Sequence, residues 1–233
     1  MYSTKNLLNI YSFILFAFIP VSILIGPAIS IINILIISLS FLLYFLIKKK
    51  FLLIKDHTLT LLFVLYLYLI LNSLFSIDPD LGLKRNLGFI RYILLFIAIN
   101  YFFFKDKNFD NIFKIWSLIF LVVLFDVMYE MHNGENILGF VSNNKKRIVS
   151  FFKDEAVVGA YLNGFFFILI GFWYKNFEKK KKFEKLLIYS FIILATSCMI
   201  FTGERSNTLK FFFSLTVFFY FNDKIQLNHK ILF

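Results

Sequence analysis

Residues 29–47 read ISIINILIISLSFLLYFLI, a run without a single charge, and Lys48, Lys49 and Lys50 follow at once. A helix needs roughly 20 apolar residues to cross the hydrocarbon of a bilayer. This run supplies them and then stops at a cluster of ammonium groups that stay at the polar boundary. Working outward, the preceding apolar run, 7–25, is separated from it only by Gly26, Pro27 and Ala28, which reads as a tight hairpin. Pro20 lacks a backbone N–H and is expected to kink that first helix. Further apolar runs occupy 58–75, 87–104, 112–131, 156–174, 185–202 and the short 207–221. The expected fold is therefore all-α: one polytopic transmembrane bundle over 1–233, of about eight helices, with both termini cytoplasmic.

Composition agrees. Of 233 residues, 60% are hydrophobic, 21% are aromatic and only 17% are charged, with mean hydropathy +0.78. A soluble domain is nearer a quarter charged and keeps a polar shell around one core. The material for such a shell is missing here. The net charge of +11 would suggest nucleic acid in a soluble protein. In a membrane protein its distribution between loops matters more, and no nucleic-acid partner is expected. The one cysteine, Cys198, lies in an apolar run, so neither an intrachain disulfide nor a cysteine metal site can form. The first apolar run is too long for the core of a signal peptide and reads as an uncleaved helix.

Loop charge sets the orientation. Lys5, Lys48, Lys49, Lys50, Lys55, Lys105, Lys107, Lys114, Lys175, Lys179, Lys180, Lys181, Lys182, Lys185, Lys224 and Lys230 fall on one side, expected to be cytoplasmic. The Lys179–Lys182 run is read as a topology determinant, with a lipid-headgroup patch as the alternative. The outer side should be poor in basic residues, yet it holds Lys84, Arg85, Arg91, Lys145, Lys146, Arg147, Lys153, Arg205 and Lys210. Every arginine in the chain is in that set. The sequence is rich in Lys, Asn, Ile and Phe, a bias that replaces Arg by Lys wherever either will do. The arginines that remain mark positions where a planar guanidinium fork is needed for phosphate or carboxylate.

Several polar residues near the outer ends admit two readings. Asp126 and Glu130, four apart, share one face of the fifth apolar run. They either line a polar pocket with Arg91 or form a helix–helix salt bridge with it, since charges at such depth pair or face a cavity. His132, beside Asn133 and Gly134, reads as a solvated loop residue, because a catalytic base needs a positioned partner. Asp154 and Glu155 are expected to cap the sixth helix. Ala156, Ala160 and Gly164 form a small-residue stripe for close helix approach, with Asn163 as a polar contact beside it. In Thr202-Gly203-Glu204-Arg205-Ser206-Asn207, a glycine turn presents Arg205 at a helix N-terminus. That is either an anion site or a plain hairpin with a snorkelling arginine. Asp78 and Asp80 read as solvated acids of a proline turn, with a divalent-cation site as the alternative. No Walker motif, dinucleotide loop, nucleophile elbow or His/Cys metal spacing is present, and no internal repeat is clear.

Three segments, in order, resemble the O-antigen ligase and polymerase superfamily. They are the Asp-Pro turn and Leu-Lys-Arg between Ser76 and Arg91, the stretch from Arg147 through Ser150-Phe151 to Gly159-Ala160-Tyr161-Leu162, and Thr202-Gly203-Glu204-Arg205. The resemblance implies a multi-pass protein of the bacterial inner (plasma) membrane. It would transfer a glycan from an undecaprenyl-diphosphate carrier, at the periplasmic face, to a growing glycan or a lipid A core, as in lipopolysaccharide assembly. It implies Arg147 and Arg205 as ligands of the lipid diphosphate, with Arg91, Lys84 and Arg85 as secondary contacts, and no metal or other cofactor. Glu204 stands where the family has a serine and sets a negative charge beside Arg205. The family also has about a dozen helices and a large outer loop with a catalytic histidine, expected beyond Phe233. The catalytic residue is thus unknown in this chain, which is expected to be an N-terminal part of such an enzyme. Two rival readings are a transporter of a small solute or anion and a non-catalytic membrane scaffold. A transporter needs a polar path at mid-membrane, where only Asn33, Ser38, Ser40, Asn72, Asn163 and Thr196 are found.

Overall fold

The computed structural model describes residues 4–48, 57–105, 110–142, 147–153, 155–175 and 177–221. Lys49, Lys50, Lys55, Lys107, Lys145, Lys146, Asp154, Lys224 and Lys230 lie outside them, so the readings above that use these residues rest on sequence. The described residues are all-α. Pro27–Leu46, His57–Leu74, Asp110–Asn133 and Lys182–Phe201 are long and apolar enough to cross a membrane, as in a multi-pass membrane protein. The chain divides into two compact units, Met1–Ile112 and Phe113–Phe233.

In the first unit, α1 (Thr4–Ala17) and α2 (Ile19–Ile25) are one helical run broken at Phe18, just before Pro20. Gly26, at φ 145°, ends it and α3 (Pro27–Lys48) starts on a proline, whose missing N–H costs nothing at a first helical position. The two runs are antiparallel: Tyr11 meets Ser40 through their hydroxyls at 3.1 Å, and Asn33 donates to Ser22 Oγ at 3.4 Å. After α4 (His57–Leu74), the stretch between the expected apolar runs 58–75 and 87–104 holds a short extra helix, α5 (Pro79–Leu87). Asp78 caps it by accepting the Leu81 N–H at 3.1 Å, and Pro79 follows the cap. The acid read as solvated is thus a helix start signal. Gly82 lets α5 press on α4, where an added Cβ would lie 3.2 Å from Ser73 Cβ. Asn86 completes the joint, donating to Ser73 Oγ at 2.6 Å and to Leu69 O at 3.1 Å. α6 (Ile90–Lys105) runs parallel to α3, held by Ser38 on Arg91 O at 3.1 Å and Tyr101 on Tyr44 at 3.0 Å.

The second unit contains α7 (Asp110–Asn133, from Phe113 onward), α8 (Val158–Tyr174), α9 (Lys182–Phe201) and α10 (Arg205–Tyr220). Between lipid-facing helices there is no water to expel, so packing, hydrogen bonds and close contact must hold them together. Aromatic rings supply much of that packing. Phe166 stacks on Phe191 at 5.9 Å and tilts on Phe211 at 4.8 Å, and Phe120 meets Phe191 at 5.5 Å. Such pairs contribute about 0.5–1.5 kcal/mol each beyond the area they bury. Phe113 stacks on Phe172 while Phe120 meets Tyr161, so α7 and α8 are antiparallel. α10 is parallel to α8, since Tyr174 meets Phe218 near one end and Phe166 meets Phe211 further along. Strict alternation thus gives this unit one end rich in lysine and one end bearing Arg147 and Arg205.

The small-residue stripe departs from expectation. Ala160 and Gly164 are exposed, and a Cβ on Gly164 would meet nothing within 4 Å. α8 instead turns Tyr161, Leu162, Phe165, Phe166, Leu169 and Ile170 inward. A face of large side chains makes far more dispersion contacts than a stripe of methyl groups, and it wins the interior of this unit. Asn163 is half-buried, and among the described residues its side chain makes no hydrogen bond.

Candidate functional site

At the arginine-bearing end of the second unit, three buried carboxylates organise the connections. α7 ends at Gly134, whose φ of 82° and N–H to Glu130 O at 2.8 Å form a left-handed cap. Asn136, 2% exposed, then closes a turn. Its side-chain oxygen accepts the N–H groups of Leu138 and Phe140 at 3.0 and 2.7 Å, and Gly139 supplies the positive φ. Its amide nitrogen donates to Ser150 O at 2.7 Å.

Asp126 and Glu130 do share a face of α7, as their spacing predicts, and both are buried. Asp126 accepts the Ile137 N–H at 2.9 Å and the Ser150 hydroxyl at 2.5 Å. Glu130 accepts the N–H groups of Val149 at 3.0 Å and Ser150 at 2.6 Å. Ser150, fully buried at φ 50°, therefore has its N–H, hydroxyl and carbonyl all engaged. A left-handed backbone at a non-glycine residue is uncommon, and this convergence of bonds holds it. Within this unit the two acids clamp the loop that carries Arg147.

Arg91 is in the first unit, in the first turn of α6. Its guanidinium lies 4.9 Å from the centroid of the Tyr92 ring and donates to the Tyr92 hydroxyl at 3.3 Å. Lys84 and Arg85 are exposed in the last turn of α5, where cations complement the helix dipole.

Two sequence-distant motifs meet in the second unit. The Ile148 N–H donates to Thr202 O at 3.3 Å, which joins the residue after Arg147 to the α9–α10 turn. Gly203, at φ 70°, makes that turn. Glu204, 8% exposed, bridges α8 and α10: it accepts the Gly159 N–H at 2.6 Å and the Asn207 side-chain amide at 2.5 Å. Glu204 thus occupies the N-terminus of α8, where a carboxylate suits the helix dipole. This corrects the expectation for Glu155. Glu155 is exposed and precedes the helix start at Val158, and Asp154 is outside the described residues. It also accounts for the charge beside Arg205, because that carboxylate is engaged by the Gly159 N–H of α8 and the Asn207 side-chain amide of α10.

Arg147 and Arg205 are both exposed, and among the described residues neither side chain has a hydrogen bond or ion pair. Arg205 is the first residue of α10, whose N-terminus has no side-chain cap. Free N–H groups and a guanidinium at one place can bind an anion. Sequence reasoning missed Asn136 and Ser150; the Asn-x-x-Gly spacing of 136–139 was the available turn signal. His132 lies in the last turn of α7, exposed. Among the described residues no cluster of His, Cys, Asp or Glu could hold a metal ion. No family model, curated protein or solved structure matches this chain.

Proposed function

We propose that the chain handles a lipid-linked diphosphate at the outer face of a bacterial plasma membrane, as an O-antigen ligase-like glycosyltransferase or its N-terminal part. The observation that carries this reading is the Ile148–Thr202 bond, which joins the Arg147 and Arg205 motifs across more than fifty residues of chain. A second bond, from the Gly159 N–H to Glu204, ties the same two segments together. Two of the three short segments that resemble one family thus form one structural feature with two unengaged guanidiniums. Its anion would be the diphosphate of an undecaprenyl carrier, presented at the level of the membrane surface.

In the transfer reaction an acceptor hydroxyl of a glycan or lipid A core attacks the anomeric carbon of the carried sugar. The bond from that carbon to the diphosphate oxygen breaks, and the diphosphate leaves with the electron pair. Arg147 and Arg205 would hold that growing charge in place before it develops. The acceptor proton goes to a base that none of the residues described around the arginines supplies, so the roles assigned here are binding and leaving-group stabilisation. Against a transporter, four of the six polar residues expected at mid-membrane are bonded inside the protein: Asn33 to Leu15 O and Ser22, Ser38 to Arg91 O, Ser40 to Tyr11, and Thr196 to Ile192 O.

Arg147→Ala and Arg205→Ala are each expected to weaken capture of undecaprenyl diphosphate about 10- to 100-fold, as the loss of charged hydrogen bonds implies. The double variant should retain none. Capture that is unchanged in both single variants removes the site assignment.

A further inference from the structure

The lysine-rich end of the second unit is its other strongly charged surface, and it lies apart from the arginine site. Between the end of α8 and the first turn of α9 the chain carries Lys175, Lys179, Lys180, Lys181, Lys182 and Lys185. A solvated connector would leave six like charges to repel one another in extended chain. Here the connector is pinned. Phe177 is buried, stacked on Tyr174 with centroids 4.4 Å apart and planes at 2°, and edge-on to Tyr189 at 5.7 Å. Residues Phe177–Lys179 form a single tight turn.

Two of the lysines are drawn onto aromatic faces. Lys180 Nζ lies 5.7 Å from the Trp173 ring centroid, and Lys185 Nζ lies 5.2 Å from Phe177 and donates to Glu178 O at 3.2 Å. The Glu184 carboxylate is used by the Lys181 backbone N–H at 3.0 Å. Lys175, Lys179 and Lys182 remain exposed, and among the described residues their ammonium groups have no partner. Trp173 fixes the level of the patch: its indole N–H donates to Ser117 at 2.8 Å, and its ring sits where the apolar helix gives way to charge. Trp and Tyr prefer that headgroup level of a membrane.

We propose that this pinned turn is a binding site for anionic phospholipid headgroups. Three unengaged ammoniums are gathered by Phe177 at the depth set by Trp173. They complement lipid phosphates at a surface where each basic residue adds about fivefold in affinity. The inference stands independently of the glycan-transfer reading.

The test uses the full chain in a neutral detergent, titrated with phosphatidylglycerol or phosphatidylcholine and read by native mass spectrometry. Phosphatidylglycerol is expected to bind in preference. The Lys175→Gln/Lys179→Gln/Lys182→Gln variant should lose about fivefold for each ammonium removed, while the matching triple Arg variant keeps the preference. An unchanged preference in the Gln variant overturns the proposal. Displacement of the lipid by millimolar inorganic phosphate overturns it too, since it would mark a free-phosphate site. Should the Gln variant not fold, the parent chain still decides: its preference must weaken as salt rises, and a salt-independent preference counts against a charge-built site.

Discussion

Glu130→Ala is expected to free the segment between α7 and α8 and to destabilise the second unit by about 2–6 kcal/mol. The figure follows from what the carboxylate does. It takes the N–H groups of Val149 and Ser150, both fully buried residues, and alanine would leave both donors without an acceptor. An unsatisfied buried donor costs about 1–3 kcal/mol. Ser150 sits at φ 50°, so release of its N–H removes one of the bonds that holds an unfavourable backbone in place. Glu130→Gln keeps one acceptor oxygen and should fall about halfway. Limited proteolysis is the direct reading: cleavage between Gly134 and Val157 should speed up strongly in the alanine variant and modestly in the glutamine variant. If the alanine variant resists protease like the parent, the clamp is not what orders this loop. Carrier capture should fall alongside, because Arg147 is three residues before Ser150.

The helices were legible in the sequence because lipid imposes length. Apolar runs of about 20 residues with lysine at one boundary leave few ways to be misread, and each expected run holds an observed helix. α5 was hidden because it is polar, and a hydropathy reading sees only a loop; yet Asp78-Pro79 is an N-cap followed by a first-turn proline, a signal that was there to use. The Asp126 and Glu130 pairing on one face was equally plain from spacing. Their partners were not, since they are backbone N–H groups of residues 11 to 20 positions away, and backbone carries no sequence signature. The same limit explains Glu204. Beside Arg205 in sequence it looks like a competitor for that guanidinium, and only the fold shows its carboxylate on α8. The stripe of Ala156, Ala160 and Gly164 misled because small residues permit a close helix without requiring one.

Gly159→Ala should weaken carrier capture and stability together, and Glu204→Ala should cancel the effect of that added methyl. A Cβ at residue 159 would lie 2.9 Å from the Glu204 Cδ and 3.0 Å from both carboxylate oxygens, closer than real Cβ contacts come. The carboxylate must then move, although it is 8% exposed and bound to the Gly159 N–H at 2.6 Å and Asn207 at 2.5 Å. Loss of a hydrogen bond to a charged group costs about 1.5–3 kcal/mol. Displacing Glu204 would also shift the start of α10, where Arg205 follows it directly. The two substitutions act through one contact, so their effects should not add. Glu204→Ala alone leaves the Gly159 N–H unpaired and lowers stability, and adding Gly159→Ala to it should cost little more. Four thermal unfolding curves in detergent, for the parent, both single variants and the double, measure the coupling. Additive losses would mean that the two residues are not in contact, and the joint between the Gly159 and Arg205 motifs would fail with them. A coupling near the full cost of Gly159→Ala would instead fix Glu204 as the residue that ties α8 to the turn carrying Arg205.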